Sequence, residues 1–142
     1  MSIYLILLLT ILVLNNARKN RRMSDKLFCI IICALFILIT GLRHNMVGSD
    51  TTVYYLQFQE IKQLSLANVI ALGRRDFGFY IFEWCIAKCF HDFVVLTLSV
   101  ACVFYIPITL LIYRYSEDKG LSYLILMAFM FFQFSYGNFF ES

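Results

Sequence analysis

Residues 93–113 read FVVLTLSVACVFYIPITLLIY, twenty-one consecutive positions without a charged side chain. At a rise of about 1.5 Å per residue such a helix is long enough to cross a hydrocarbon layer about 30 Å thick with modest tilt. The whole chain shares this character, since 61% of its 142 residues are apolar and only 15% are charged. Mean hydropathy is +0.78. These values lie outside the range of ordinary soluble domains and point to an integral membrane protein. A net charge of +3, thinly scattered, does not suggest a nucleic-acid surface.

Working outward from this span, Arg114, Glu117, Asp118 and Lys119 form a compact charged connection, and Gly120 to Phe140 is a second uncharged run of twenty-one residues. Upstream, Leu27 to Leu42 is uncharged over sixteen residues, with Lys26 and Arg43 placed to snorkel at its two ends. Met1 to Ala17 supplies another apolar segment. Its basic residues follow the apolar run, whereas a cleaved signal peptide carries them in front. The expected fold is therefore all-α: a polytopic membrane protein with about four transmembrane helices, plus interfacial or re-entrant amphipathic helices in one long external loop. Residues 1–142 are expected to form a single integral membrane domain.

Arg18, Lys19, Arg21, Arg22 and Lys26 crowd the first loop, and basic residues in short loops stay on the cytoplasmic side. The amino terminus is then expected outside, as is the long region from Arg43 to Asp92. The cluster is read as a topology signal, and Arg18→Lys is expected to be functionally silent. Pro107 is expected to kink the span that contains it.

In the long loop, Ser49 or Asp50 can cap a helix beginning near Thr51, on which Tyr54, Phe58 and Ile61 share one face and Gln57, Glu60 and Gln63 lie elsewhere. Gly48 allows close backbone approach. Leu64 to Leu72 reads as a short amphipathic helix with Ser65 as its cap and Gly73 as its stop. Beyond Arg74 and Arg75, the residues Asp76, Tyr80, Glu83, Ala87 and His91 fall at helical spacing on one face. A polar stripe of this kind needs water or partners. Because Glu83 and Lys88 are costly against lipid, the segment is read as interfacial or re-entrant rather than as a fifth span.

Cys29 and Cys33 are four apart, as are Cys85 and Cys89, inside apolar helical segments and without the closer pairing of structural zinc sites. They are read as small hydrophobes. No metal or cofactor is expected, and no Gly-rich phosphate loop or Ser-His-Asp order is present; His44 and His91 are far apart in sequence.

Leu42-Arg43, Val47-Gly48-Ser49-Asp50-Thr51, Tyr54 and Phe58 together resemble the signature loop of the EpsG family, bacterial membrane proteins similar to Wzy-type polymerases. A looser likeness continues through Arg74, Arg75, Asp76, Gly78, Phe79, Tyr80 and Glu83. The family's acidic-Pro-Gly pattern is replaced there by Asp76-Phe77-Gly78. The resemblance implies assembly of exopolysaccharide, capsule or O-antigen chains at the bacterial cytoplasmic (inner) membrane, from an undecaprenyl-diphosphate-linked glycan. Membrane lipids and other polysaccharide-assembly membrane proteins are the implied partners, and no nucleic acid is among them.

Such a polymerase displaces a lipid diphosphate from an anomeric carbon by a sugar hydroxyl, so it needs cations for the leaving group and a carboxylate for the hydroxyl proton. Arg43, with Arg74 or Arg75, suits the first role. Asp50 or Glu83 suits the second, while Gly48, Tyr54 and Tyr80 suit binding of the glycan. A scaffold or assembly subunit without catalytic activity is the rival expectation. Relatives of more than twice this length carry a further arginine motif after an aromatic-rich fourth span, so the chain is also expected to be an amino-terminal portion of a larger fold, inactive alone.

The topology is tested with single cysteines at Asn20 and Gln59 in a background lacking the native five. A membrane-impermeant thiol reagent applied to intact cells is expected to label Gln59→Cys and spare Asn20→Cys; the opposite pattern overturns the assignment.

Overall fold

The computed structural model describes residues 2–42, 49–71 and 77–139, with side chains at 5–42, 52–71 and 77–129. Among the described residues the regular structure is entirely helical. The elements are α1 (Ser2–Lys19), α2 (Asp25–Gly41), α3 (Ser49–Gln63), α4 (Leu66–Ala71), α5 (Phe77–Cys89), α6 (Phe93–Tyr115) and α7 (Lys119–Phe139). They form two compact units, one of residues 1–38 with 102–142 and one of residues 39–101.

In the first unit the apolar periodicity of three helices converges on an aromatic core. Phe28, Ile32 and Phe36 recur every fourth residue on α2 and are buried, as are Leu7 and Ile11 on α1 and Tyr123 and Met127 on α7. Tyr123 meets Phe28 edge-on at 5.8 Å and stacks on Phe36 at 6.2 Å, while Phe36 also lies 5.3 Å from Tyr105 of α6. Offset and edge contacts of this type add about 0.5–1.5 kcal/mol per pair to the burial itself.

Charges excluded from these apolar helices gather at one end. Arg18 reaches Asp118 at 3.1 Å and Asp25 at 3.6 Å, Lys119 pairs with Asp25 at 3.1 Å, and Lys19 lies 3.7 Å from Asp118. The loop after α1 and the loop before α7 therefore meet. Asp118 also caps α7, accepting from the backbone N–H groups of Gly120 and Leu121. Its carboxyl is held below its usual range, first by the Leu121 N–H, with Lys19, the Gly120 N–H and Arg18 adding to the effect. Gly120 permits a close approach here, because a Cβ on it would stand 2.4 Å from the Asn15 side chain.

Arg18 does more than the sequence suggests. Its Nε and Nη2 both donate to Asn15 Oδ1, Nη2 also donates to Asp118, and the guanidinium sits 5.3 Å over the Phe28 ring. A lysine ammonium cannot make this planar fork. Arg18 is therefore held by its shape as well as by its charge.

α6 is the one helix among the described residues long and apolar enough to cross a membrane, with mean hydropathy 2.4 over its best window. Only 17% of that window is buried, which suits a lipid-facing helix and not the core helix of a soluble domain. It runs unbroken through Pro107 to Tyr115. α1 and α2 expose Leu5, Leu9, Val13, Leu27, Ile30 and Leu38 in the same manner but are shorter, with 18 and 17 residues. Cys29 and Cys33 are packed in α2 as expected, whereas Cys85 and Cys89 are exposed on α5.

In the second unit α4 connects α3 to α5. Ser65 caps α4, its Oγ accepting from the Asn68 N–H. Contacts climb α3 and α5 together: Tyr54 meets Phe79, Gln57 meets Glu83, and the Lys62 carbonyl accepts from Lys88. The two helices consequently run parallel. Phe58, Ala87, Phe93 and Leu96 form one buried cluster between them and the start of α6, and Ile61, Val69 and Tyr80 form a second under α4. Within the same unit Thr97 of α6 donates to the Gly41 carbonyl at 2.6 Å. Gly41 is needed there because a Cβ would lie 2.9 Å from the Leu98 backbone.

Arg18→Lys is expected to lower the unfolding free energy by about 1 kcal/mol. That figure reflects the lost fork; the half-exposed carboxylate partners contribute little. Thermal unfolding in detergent, followed by helical circular dichroism, checks this against Arg22→Lys, which is expected to match the wild type. Identical midpoints for all three proteins would show that Arg18 acts by charge alone.

Candidate functional site

Parallel packing of α3 on α5 places a carboxyl group inside protein. Tyr80, Glu83 and Ala87 are spaced three and four apart on α5 and are all buried against α3 and α4, Glu83 completely (0% exposed). The predicted stripe is therefore real over this part. It faces helices and not water. His91 leaves the stripe because α5 ends at Cys89 and the chain turns there, with His91 at φ 58°. Asp76 lies outside the described residues.

Three side chains are linked in series. The Tyr80 hydroxyl donates to Gln57 Oε1 at 3.3 Å, and Gln57 Nε2 donates to Glu83 Oε2 at 2.7 Å. Glu83 Oε1 has no hydrogen-bond partner among the described residues. An acceptor buried in this way costs about 1–3 kcal/mol, and more if charged. Burial accordingly pushes the Glu83 carboxyl above its ordinary value of 4.5, and the hydrogen bond from Gln57 opposes the shift only in part.

The rim of the pair is polar and aromatic. Trp84 Nε1 donates to the Leu64 carbonyl at 3.1 Å, and Lys62 Nζ donates to the His91 carbonyl at 3.3 Å. Tyr54 is about half exposed (48%) and meets Phe79 edge-on at 6.0 Å. Tyr80, at 8% exposure, belongs to the buried cluster.

Of the site residues named from sequence, Tyr54, Tyr80 and Glu83 are brought to the α3–α5 pair. Arg43, Gly48, Arg74 and Arg75 lie outside the described residues, as does the side chain of Asp50, whose backbone is in the first turn of α3. Gln57 is the residue that sequence reasoning missed. It was placed away from the apolar face, although its spacing of three from Tyr54 and four from Ile61 was the available signal. Among the described residues no group of three or more His, Cys, Asp or Glu side chains converges as a metal site.

The model of the EpsG family matches residues 26–142, a range that includes α3 to α7 and all of α2 but its first residue, Asp25. No curated protein and no solved structure matches the chain.

The raised Glu83 pKa has a definite sign. Between 4.5 and the folded-state value the folded protein binds the proton that the unfolded chain has released, so this contribution to stability is complete below 4.5 and is lost as pH rises through the folded value. Thermal unfolding of the wild type against pH is expected to show a decline above 4.5 that Glu83→Gln lacks. Superimposable pH profiles of the two proteins would refute it.

Proposed function

The chain belongs to the EpsG family, whose work is polysaccharide biosynthesis at a membrane, and on that premise we propose that it takes part in Wzy-like extension of exopolysaccharide, capsule or O-antigen chains. The substrate is an undecaprenyl-diphosphate-linked glycan, handled at the outer face of a bacterial cytoplasmic membrane that the chain crosses about four times. The meeting of the first and last loops in one charge network supports an even number of crossings between them.

One observation carries the functional reading: α3 and α5 are parallel. The segments bearing Arg43 and Arg74-Arg75 lead into the N-terminal ends of these two helices, which lie at the same end of the pair. Helix N-termini present unbonded N–H groups and a partial positive charge, and guanidinium groups add charge-assisted bonds. Together they suit a diphosphate leaving group. Gly48 allows the backbone to come close to it.

In the reaction a sugar hydroxyl oxygen bonds to the anomeric carbon as the bond from that carbon to the diphosphate breaks. The hydroxyl proton passes to Asp50 or Glu83. A carboxyl with a raised pKa is the stronger proton acceptor when ionised, which favours Glu83. Tyr54 is exposed enough to pack on a sugar ring, whereas Tyr80 is engaged beneath the surface. Because Glu83 is closed off in this conformation, a substrate hydroxyl reaches it only after a local opening on the side of Oε1 that leaves the bond from Gln57 in place.

That complete burial also favours a second reading, a membrane scaffold or assembly subunit in which the α3–α5 carboxyl serves packing alone. A deletion strain complemented with each variant separates the two. Arg43→Lys and Glu83→Gln are expected to reach the membrane in normal amount yet lower extended glycan at least about tenfold, with Arg22→Lys unaffected. Full-length glycan from all of them would favour the scaffold.

A further inference from the structure

We propose that Gln57 is the positioning residue of the Glu83 carboxyl, binding Oε2 so that Oε1 is the atom that exchanges the proton. The inference deepens the proposed function and rests on Glu83 serving there as proton acceptor. Gln57 is an uncharged residue on α3, and no motif in the sequence marks it.

The geometry gives it this role. Tyr80 and Glu83 are three residues apart on α5, hence neighbours on one helix face, and a single amide from α3 bridges them. The amide is used at both ends: its oxygen accepts from the Tyr80 hydroxyl and its nitrogen donates to Glu83. At 2.7 Å the second bond is at the short limit for N–H···O, and the first, at 3.3 Å, is the longer one. Glu83 Oε2 is thus occupied by a donor, while Oε1 is buried with no partner among the described residues.

The two carboxyl oxygens therefore differ in chemistry. A proton on Oε2 would face an N–H that already occupies the favourable acceptor direction, whereas a proton on Oε1 meets no competing donor. An amide is suited to this task because it neither titrates nor adds a charge beside a diphosphate. A lysine at 57 would pair with the carboxylate and hold it ionised; a leucine would leave both oxygens unbonded in a buried place.

The test uses the full chain in membranes. The carboxyl C=O stretch of protonated Glu83 is recorded by infrared spectroscopy at acidic pH and assigned by its loss in Glu83→Gln. Gln57→Leu is expected to move that band to higher frequency, because the C=O loses its hydrogen bond, while the helical amide bands stay in place. Glycan extension by Gln57→Leu is expected to fall to the level of Glu83→Gln, and the double variant to fall no further, as for two residues acting as one unit. Tyr80→Phe, which nearly keeps the volume and removes the hydroxyl that donates to the Gln57 amide, is expected to shift the band by less in the same direction. It serves if Gln57→Leu does not insert.

An unmoved band in Gln57→Leu and Tyr80→Phe overturns the inference even where Glu83→Gln abolishes extension. A double variant whose loss equals the product of the single losses overturns it too. A shifted band with normal extension in Glu83→Gln overturns the proposed function itself and removes the proton transfer that Gln57 would serve.

Discussion

Burying an ionisable carboxyl between two helices demands both a hydrogen-bond donor across the interface and enough apolar contact around it to hold the interface shut. Glu83 meets the first demand with Gln57 and leaves one oxygen without a partner among the described residues. The second is met by Phe58, Ile61, Ala87 and Phe93, which are almost fully buried on either side. Burial of a large apolar side chain contributes about 1.5–3 kcal/mol, so a few of them outweigh an unsatisfied acceptor. Were α3 antiparallel to α5, Tyr54 and Lys62 would exchange ends and the Gln57 amide could not bridge Tyr80 and Glu83 in the observed order. The carboxyl's state and the common end of the two helices both follow from this one parallel contact.

The residues 1–38 and 102–142 solve the opposite problem. There, among the described residues, the helix interiors are free of charge, and the cations and carboxylates are at helix ends, where Arg18, Lys19, Asp25, Asp118 and Lys119 satisfy one another. The placement also matches the helix dipoles: Arg18 and Lys19 stand in the last turn of α1, Asp25 in the first turn of α2, and Asp118 ahead of α7. Exposed ion pairs stabilise weakly, but an arginine that also bonds Asn15 and covers Phe28 restricts the loop geometry as well as its charge.

The proposed function imposes a tension on the second unit. A glycan polymerase needs its acidic and basic groups within reach of a lipid-linked substrate, whereas packing has drawn Glu83 and Tyr80 inward and left Tyr54 at the surface. Burial raises the Glu83 pKa above its ordinary value, which makes the ionised carboxylate a better proton acceptor than an exposed one. The same burial would suit a purely structural residue, and the distinction lies in whether loss of the carboxyl changes chemistry or only cohesion.

Much was determined by the sequence alone. Uncharged runs bounded by charge marked the long helices, Ser65 marked the start of α4, and the Leu42-Arg43 to Phe58 motif carried the family, which the match over residues 26–142 shows. The three- and four-residue spacing also placed Tyr80, Glu83 and Ala87 on one face. What that spacing could not tell was which helix the face would meet, since periodicity describes one element at a time. Gln57 and Glu83 are 26 residues apart and Arg18 and Asp118 are 100 apart, and such pairs exist only once helix direction and register are set by packing. The tertiary structure therefore decided that the polar stripe faces protein, that His91 turns away from it, that Arg18 is more than a charge, and that an unmarked glutamine holds the buried carboxyl.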